Sequence, residues 1–146
     1  MPSLREESDV KEFSIREAAV LLGVSDDTVR RWGETGRLEI ERGENGRQRI
    51  RGTELVAMQR ALARTSALAE TFPASRASAR NRFVGLVTAV TKDGVMAQVD
   101  IQAGPFRVVS LMSREAADDL GLEVGMLAAA SAKATVVTID VPEAGA

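Results

Sequence analysis

The feature that most limits this chain is a change of hydrophobic period near its middle. Up to about residue 66, apolar residues recur at helical spacing between glycine-marked turns; from Arg80 onward, β-branched residues alternate with polar ones. The two periods bury different kinds of face, so the chain divides into two small domains. Its length agrees, since 146 residues hold one ordinary domain or two small ones. The Ala- and Ser-rich stretch over 67–79, with one Pro, reads as a helix end plus a linker. The expected organisation is a polar arm over 1–12, a helical domain over 13–66, the linker, and a β domain over 80–142: an α+β two-domain chain.

The helical domain is well punctuated. Ser14-Ile-Arg-Glu17 has the spacing of a capping box, and Ile15, Ala18, Ala19 and Leu22 then form one helix face. Gly23 stands where a left-handed C-terminal residue is cheapest. Ser25 caps a second helix whose first turn holds Asp26 and Asp27, on the side of the helix dipole that favours negative charge. Val24, Val29 and Trp32 face a core; Asp27, Thr28, Arg30 and Arg31 face out. Two short helices joined by a Gly-containing turn form a helix-turn-helix pattern. Asn45-Gly46 then marks a hairpin between an alternating segment through Leu38 and Ile40 and a returning strand, Arg47-Gln-Arg-Ile-Arg51, a small two-stranded wing. Thr53 is the expected cap of a third helix carrying Leu55, Val56, Met58 and Leu62.

The second half reads as strands over 83–90, 95–101, 106–112, 127–132 and 135–141. Asp93-Gly94 and Gly104-Pro105 are hairpin turns, and a short helix over 113–120 ends at Gly121. Five strands in so few residues predict a small barrel or sandwich. Such a domain leaves much apolar surface uncovered alone, which predicts oligomerisation.

Composition removes several chemistries. The chain has no His and no Cys, so it holds no disulfide, no Cys/His zinc site and no histidine-dependent triad. No acid/base pair stands out either, and the expectation is a non-enzyme. No apolar run approaches a membrane span, and the N-terminus lacks a signal-peptide core, which reads as a soluble cytoplasmic protein. The net charge is −2, from 19 basic and 21 acidic side chains.

That average hides an uneven distribution. Arg30, Arg31, Arg37, Arg42, Arg47, Arg49 and Arg51 cluster on the second helix and the hairpin, against Glu34, Glu39, Glu41 and Glu44. Arginine suits forked contacts with phosphate and guanine. A helix in the major groove with a wing on the flanking backbone would use Ser25, Asp27, Thr28, Arg30, Arg31, Arg47, Arg49 and Arg51 together. The run from Phe13 to Trp32, with Gly36-Arg-Leu38 and Gly46-Arg-Gln-Arg-Ile50, resembles the winged helix-turn-helix of MerR-type and excisionase-type proteins over about residues 12 to 64. The resemblance implies that 25–32 is the recognition helix and that double-stranded DNA is a partner. The long dimerising helix of MerR-type regulators is missing, so dimerisation must come from elsewhere.

Two further segments, Ser78-Ala-Arg-Asn81 and Ser131-Ala-Lys-Ala-Thr135, each offer a cation, hydroxyls and backbone amides. These are the donors a tetrahedral oxyanion needs. Spacing alone leaves Arg80 and Lys133 as ordinary surface charge. With 82–87, 94–99, 113–122 and Val124-Gly125, however, these segments resemble a molbindin (Mop, TOBE-type) domain across about residues 78 to 141. The resemblance implies a five-stranded OB-like β-barrel that binds molybdate or tungstate at subunit interfaces. It implies anion contacts at Ser78, Arg80, Lys133, Thr135 and the Ala134 amide, with Ser110 a weaker candidate. Arg82 stands where that family often has Gln, and Gly104-Pro105 is a stiffer hairpin than the family's. No cationic metal is expected. The combined expectation is a molybdate- or tungstate-responsive transcriptional regulator, a homo-oligomer (hexamer or dimer). The alternative is a molybdate storage or buffering protein with a helical assembly domain.

Overall fold

The computed structural model describes residues 11–68, 72 and 78–143, and these form two compact units that divide after Ser66. The arm over 1–10 and most of the predicted linker lie outside the described residues.

In the first unit the order is β1 (Glu12–Phe13), α1 (Ile15–Leu22), α2 (Asp26–Glu34), β2 (Glu41–Arg42), β3 (Gln48–Arg51) and α3 (Gly52–Arg64). Both predicted caps at the start of α1 and α2 are present. Ser14 Oγ accepts the Glu17 N–H at 3.1 Å while the Ser14 N–H donates to Glu17 Oε2 at 2.9 Å. Ser25 Oγ accepts the Thr28 N–H at 3.1 Å. Gly23 takes the left-handed conformation (φ 69°) that turns the chain between the helices. Ala18 and Ala19 present no bulk where α1 meets the rest of the core. Val29, Leu38, Ile50, Leu55 and Met58 close that core with Ile15. Burial of six full-sized apolar side chains there is the main source of the unit's stability.

Three details differ from expectation. β1 is an unpredicted strand, pairing Glu12 with Arg51 and Phe13 with Ile50, so the hairpin becomes a three-stranded sheet in the order β1-β3-β2. Two residues carry no readable period, and their partner is distant in sequence. α3 starts straight off β3, with Arg51 at the cap position and Thr53 already inside the first turn. Of the apolar residues expected on α3, Val56 is exposed, because Leu55 and Met58 hold the buried side of the helix.

The second unit is a curled antiparallel sheet of β4 (Asn81–Lys92), β5 (Met96–Ala103), β6 (Phe106–Ser113) and β7 (Leu127–Ala132), in the order β6-β5-β4-β7. The six-residue helix α4 (Arg114–Asp119) follows β6. β4 serves two partners: its first half, from Asn81 to Leu86, pairs with β7, and the remainder pairs with β5. A bulge between Val87 and Ala89 marks the change and bends the strand. Val87, Val99 and Ile101 form the buried centre on the inner face, flanked by Val90, Met112, Leu122, Met126, Ala128 and Ala130.

The sheet has four strands, not five. After β7 the chain leaves the ladder at a 3-10 turn, Ala134–Val136, and 137–143 pairs with nothing among the described residues. The apolar alternation that predicted a strand over 135–141 is real: Ile139 is 83% and Val141 79% exposed. One copy of the chain supplies no surface to bury them.

Candidate nucleic-acid interface and oxyanion site

The first unit separates its charges by partner. Arg30 pairs with Asp27 one helical turn away at 3.4 Å. Arg51 lies between Glu39 (3.3 Å) and Glu41 (3.4 Å), with its Nε buried. Arg37 stacks over Trp32 at 5.1 Å from the ring centroid. Arg31 on α2 and Arg47 and Arg49 on the hairpin enter no ion pair among the described residues. Arg31 and Arg47 are exposed, and Arg49 is half-buried along its stem. Ser25 and Thr28 bond each other through their hydroxyls at 2.9 Å. A hollow of about 260 Å³ between α2 and the hairpin is lined by Arg30, Gly33, Glu34, Ile40 and Gln48. The hairpin comes this close because residue 33 is Gly: a Cβ there would run into the Ile40 side chain. Of the predicted nucleic-acid residues, α2 and the hairpin therefore supply two kinds. Arg31, Arg47 and Arg49 are available to a phosphate, whereas Arg51 and Arg30 already serve local carboxylates. Gln48, at the rim of the hollow, was not singled out by sequence reasoning; a lone Gln in a strand gives no signal.

In the second unit the ladder does what the sequence alone could not. Asn81 pairs with Ala132 at the end of β4 and β7, so Arg80 and Lys133, more than fifty residues apart in sequence, each stand one residue beyond the last pair of the ladder. Asn81 Nδ2 donates to the Ala132 carbonyl at 3.1 Å and pins that end. Asn81 is a positioning residue that sequence reasoning did not single out. Ser78, Arg80, Lys133 and Thr135 are all exposed around it. The 3-10 turn uses the Val136 and Val137 N–H groups for its own bonds, leaving the Ala134 and Thr135 amides outside them. No carboxylate occurs over 78–92 or 124–139, so nothing there repels a dianion. Ser110 is elsewhere: it lies on β6 opposite Val99, two strands away from the β4–β7 ladder. One chain does not bring it to the others.

Three acidic residues of this unit are held by close partners. Asp118 takes Lys92 at 2.5 Å and Arg114 at 3.7 Å, and the Lys92 bond leads in holding it below the usual carboxylate range. Asp93 is held low chiefly by the Met96 and Val95 N–H groups, both at 2.7 Å. Asp100 on β5, 8% exposed, accepts Gln98 Nε2 at 3.1 Å and Arg107 Nε at 2.7 Å, and both lower it. The net −2 of the chain thus coexists with a cationic sheet end. Among the described residues no group of three or more acidic side chains could hold a metal ion, and no helix is long and apolar enough to cross a membrane.

The architecture is a helix-turn-helix unit followed by a small antiparallel sheet with a basic end. Residues 12–63 match the helix-turn-helix domain family and residues 77–139 the TOBE domain family. Among solved structures, a molybdate-binding protein from Sporomusa ovata is 25% identical over 46% of this chain and all of its own, with a TM-score of 0.44. MopII from Clostridium pasteurianum, in an apo form, is 33% identical over 45% of this chain and all of its own, at 0.43. The cytoplasmic molybdate-binding protein ModG, with molybdate bound, is 34% identical over 41% of this chain and 43% of its own, at 0.39. No curated protein matches the chain.

Proposed function

We propose that this chain is a transcriptional regulator that binds DNA through its first unit and senses molybdate or tungstate through its second. The observation that carries this reading is the β4–β7 register. Arg80 and Lys133 each stand one residue beyond its last pair, Asn81 with Ala132, and no carboxylate occurs over 78–92 or 124–139, which supports a site there with Ser78, Thr135 and the Ala134 amide. Charge-assisted bonds from such donors suit a tetrahedral dianion. Molybdate is the ion named for the similar Sporomusa ovata protein and for ModG. Selection against sulfate would rest on the longer metal–oxygen bonds of molybdate and tungstate in a fixed ring of donors.

The winged reading of the first unit, of the MerR or excisionase kind, is supported by the β2–β3 hairpin next to α2. α2 enters the major groove; Arg31 meets the duplex, with Arg47 and Arg49 on flanking phosphate. Ser25 and Thr28 approach at the N-terminal end of α2, and Asp27 sets the Arg30 guanidinium. Arg51 acts through Glu39 and Glu41, fixing the hairpin.

The active form is a homo-oligomer, a hexamer or a dimer, whose copies bury Ile139 and Val141 and bring Ser110 of one chain to the Arg80 cluster of another. Five strands then close around each sheet, giving the OB-like barrel. The anion transmits a signal because it binds one arrangement of the copies better than another. Two helix-turn-helix units at one half-site spacing bind far more tightly than one.

A mobility shift on DNA from the gene's own neighbourhood tests this, with molybdate, tungstate and sulfate compared. Molybdate or tungstate alters the shift and sulfate does not; Arg80→Ala with Lys133→Ala removes the response. Anion binding with no DNA shift would instead make the chain a storage protein.

A further inference from the structure

The start of α2 carries a neutral ion pair on its solvent side. Arg30 Nη1 donates to Asp27 Oδ1 at 3.4 Å, and both side chains stay open to solvent, that of Arg30 by 50% and that of Asp27 by 96%. Their neighbours are committed elsewhere. Ser25 and Thr28 are tied into the helix cap, and Val29 faces the core. The bond uses one guanidinium nitrogen and one carboxylate oxygen. Arg30 Nε and Nη2 and Asp27 Oδ2 therefore hold no side-chain bond among the described residues. An exposed pair of this kind adds little to the stability of the unit. Its charges cancel, so it also adds little to the attraction between α2 and phosphate.

We propose that Asp27 and Arg30 together read one G·C base pair in the major groove. This rests on the DNA reading above and names the base pair that α2 selects. Base contacts in helix-turn-helix proteins come from the N-terminal part of the second helix, where Asp27 and Arg30 stand. The G·C edge presents guanine N7 and O6, both acceptors, next to the cytosine N4 donor. Arg30 offers donors to the first two and Asp27 an acceptor to the third, so the pair carries the complementary set. Adenine replaces the O6 acceptor by an N6 donor. The guanidinium fork then loses one bond and meets a like donor. The pair is ill suited to the backbone, because the Asp27 carboxylate would face phosphate with like charge. Asp27 also holds the fork in place, and a side chain already fixed loses less freedom on binding.

The test is selection of binding sites by the full chain from a pool of randomised duplexes, run with and without molybdate. Affinity and its salt dependence are then measured on the selected site, with Trp32 fluorescence to show that each variant is folded. The parent enriches a motif containing a fixed G·C pair, and exchanging that pair for A·T weakens binding about ten- to hundredfold. Asp27→Ala with Arg30→Ala loses the preference at that pair alone and keeps the rest of the motif and the salt slope. Asp27→Ala by itself frees Arg30 for phosphate. Affinity for unselected duplex then rises about two- to tenfold, the log–log salt slope steepens by about one, and the G·C preference falls. Arg31→Ala does the opposite, weakening every duplex alike with the motif unchanged. If the double variant selects the parent's motif, or Asp27→Ala weakens every duplex alike, the pair is no base reader and the DNA reading stands. If no motif is enriched in either condition, the DNA reading fails and the pair with it.

Discussion

The two units solve the same problem of size differently. The first has eight buried apolar residues, drawn from three helices, the strand β3 and Leu38 before the hairpin. The second has three buried apolar residues at its centre, and leaves Ile139, Val141 and Leu111 at least 70% exposed. A domain of this size buries a modest fraction of its surface, so small differences in core decide whether it stands alone. The helical unit has the fuller core; the sheet unit leaves more of its apolar residues uncovered. The ligand site proposed for the sheet unit lies at its unfinished end, where Lys133 leads into the unpaired segment. A site on an incomplete edge can be finished by another copy, and that lets an anion act on assembly.

The sharpest way to separate the units is Gly85→Ala. A Cβ on Gly85 would overlap the Gln102 backbone carbonyl and crowd Ala103 Cα on β5. Backbone cannot yield as a flexible side chain can. The expected result is loss of the cooperative fold of the sheet unit. Trp32, the one tryptophan of the chain, lies in the helical unit and reports on it independently. Circular dichroism should therefore lose its strand signal while the Trp32 fluorescence transition keeps its midpoint. A joint collapse of both signals would show that the units depend on each other.

The converse change is Ile50→Ala. Ile50 is fully buried, on β3 between β1 and β2. Removing it costs about 2–5 kcal/mol by lost transfer energy and a residual cavity. Urea unfolding followed at Trp32 should show that loss, with no change in the strand signal. Ser25→Ala takes the third place. It removes the acceptor of the Thr28 N–H and costs about 1 kcal/mol. The same fluorescence measures it, and DNA affinity should fall with it as the start of α2 frays.

The units also differ in how much of them was legible. Caps and left-handed glycines are local, so Ser14, Glu17, Gly23 and Ser25 announced α1 and α2 from a few residues each. Asn45-Gly46 placed the hairpin, and Gly104 with Pro105 the turn between β5 and β6. What needed the structure was long-range. Nothing near Lys133 says that it stands at the same ladder end as Arg80; only the register does. The pairing of β1 with β3 was hidden for the same reason. The fifth strand failed instructively: the alternation through Ile139 predicts a strand, but a strand needs a partner to pair with, and 137–143 finds none among the described residues. Asp100 was hidden differently, because strand alternation predicts a face and not whether a carboxylate there is covered.

Asp100 gives the last and, at neutral pH, smallest contrast. It is the one buried acidic side chain among the described residues, fixed by Gln98 and Arg107 on the outer face of the sheet. Both partners lower its pKa, so the folded state favours the carboxylate. The sign follows from linkage. The unfolded chain binds the proton more readily, so Asp100 adds stability above its ordinary value of about 3.9 and that contribution is lost as pH falls through the lower folded value. Between pH 7 and pH 5 the sheet transition should hold steady; below about pH 4 it should fall. Arg107→Gln removes one of the two lowering partners. Because the Arg107 side chain is 63% exposed, its loss should be barely visible at pH 7. At acid pH it should narrow the gap between folded and unfolded values, so that less stability is lost on acidification in the variant than in the parent. Equal losses in parent and variant, followed by strand signal, would show that Arg107 does not hold the carboxylate in solution.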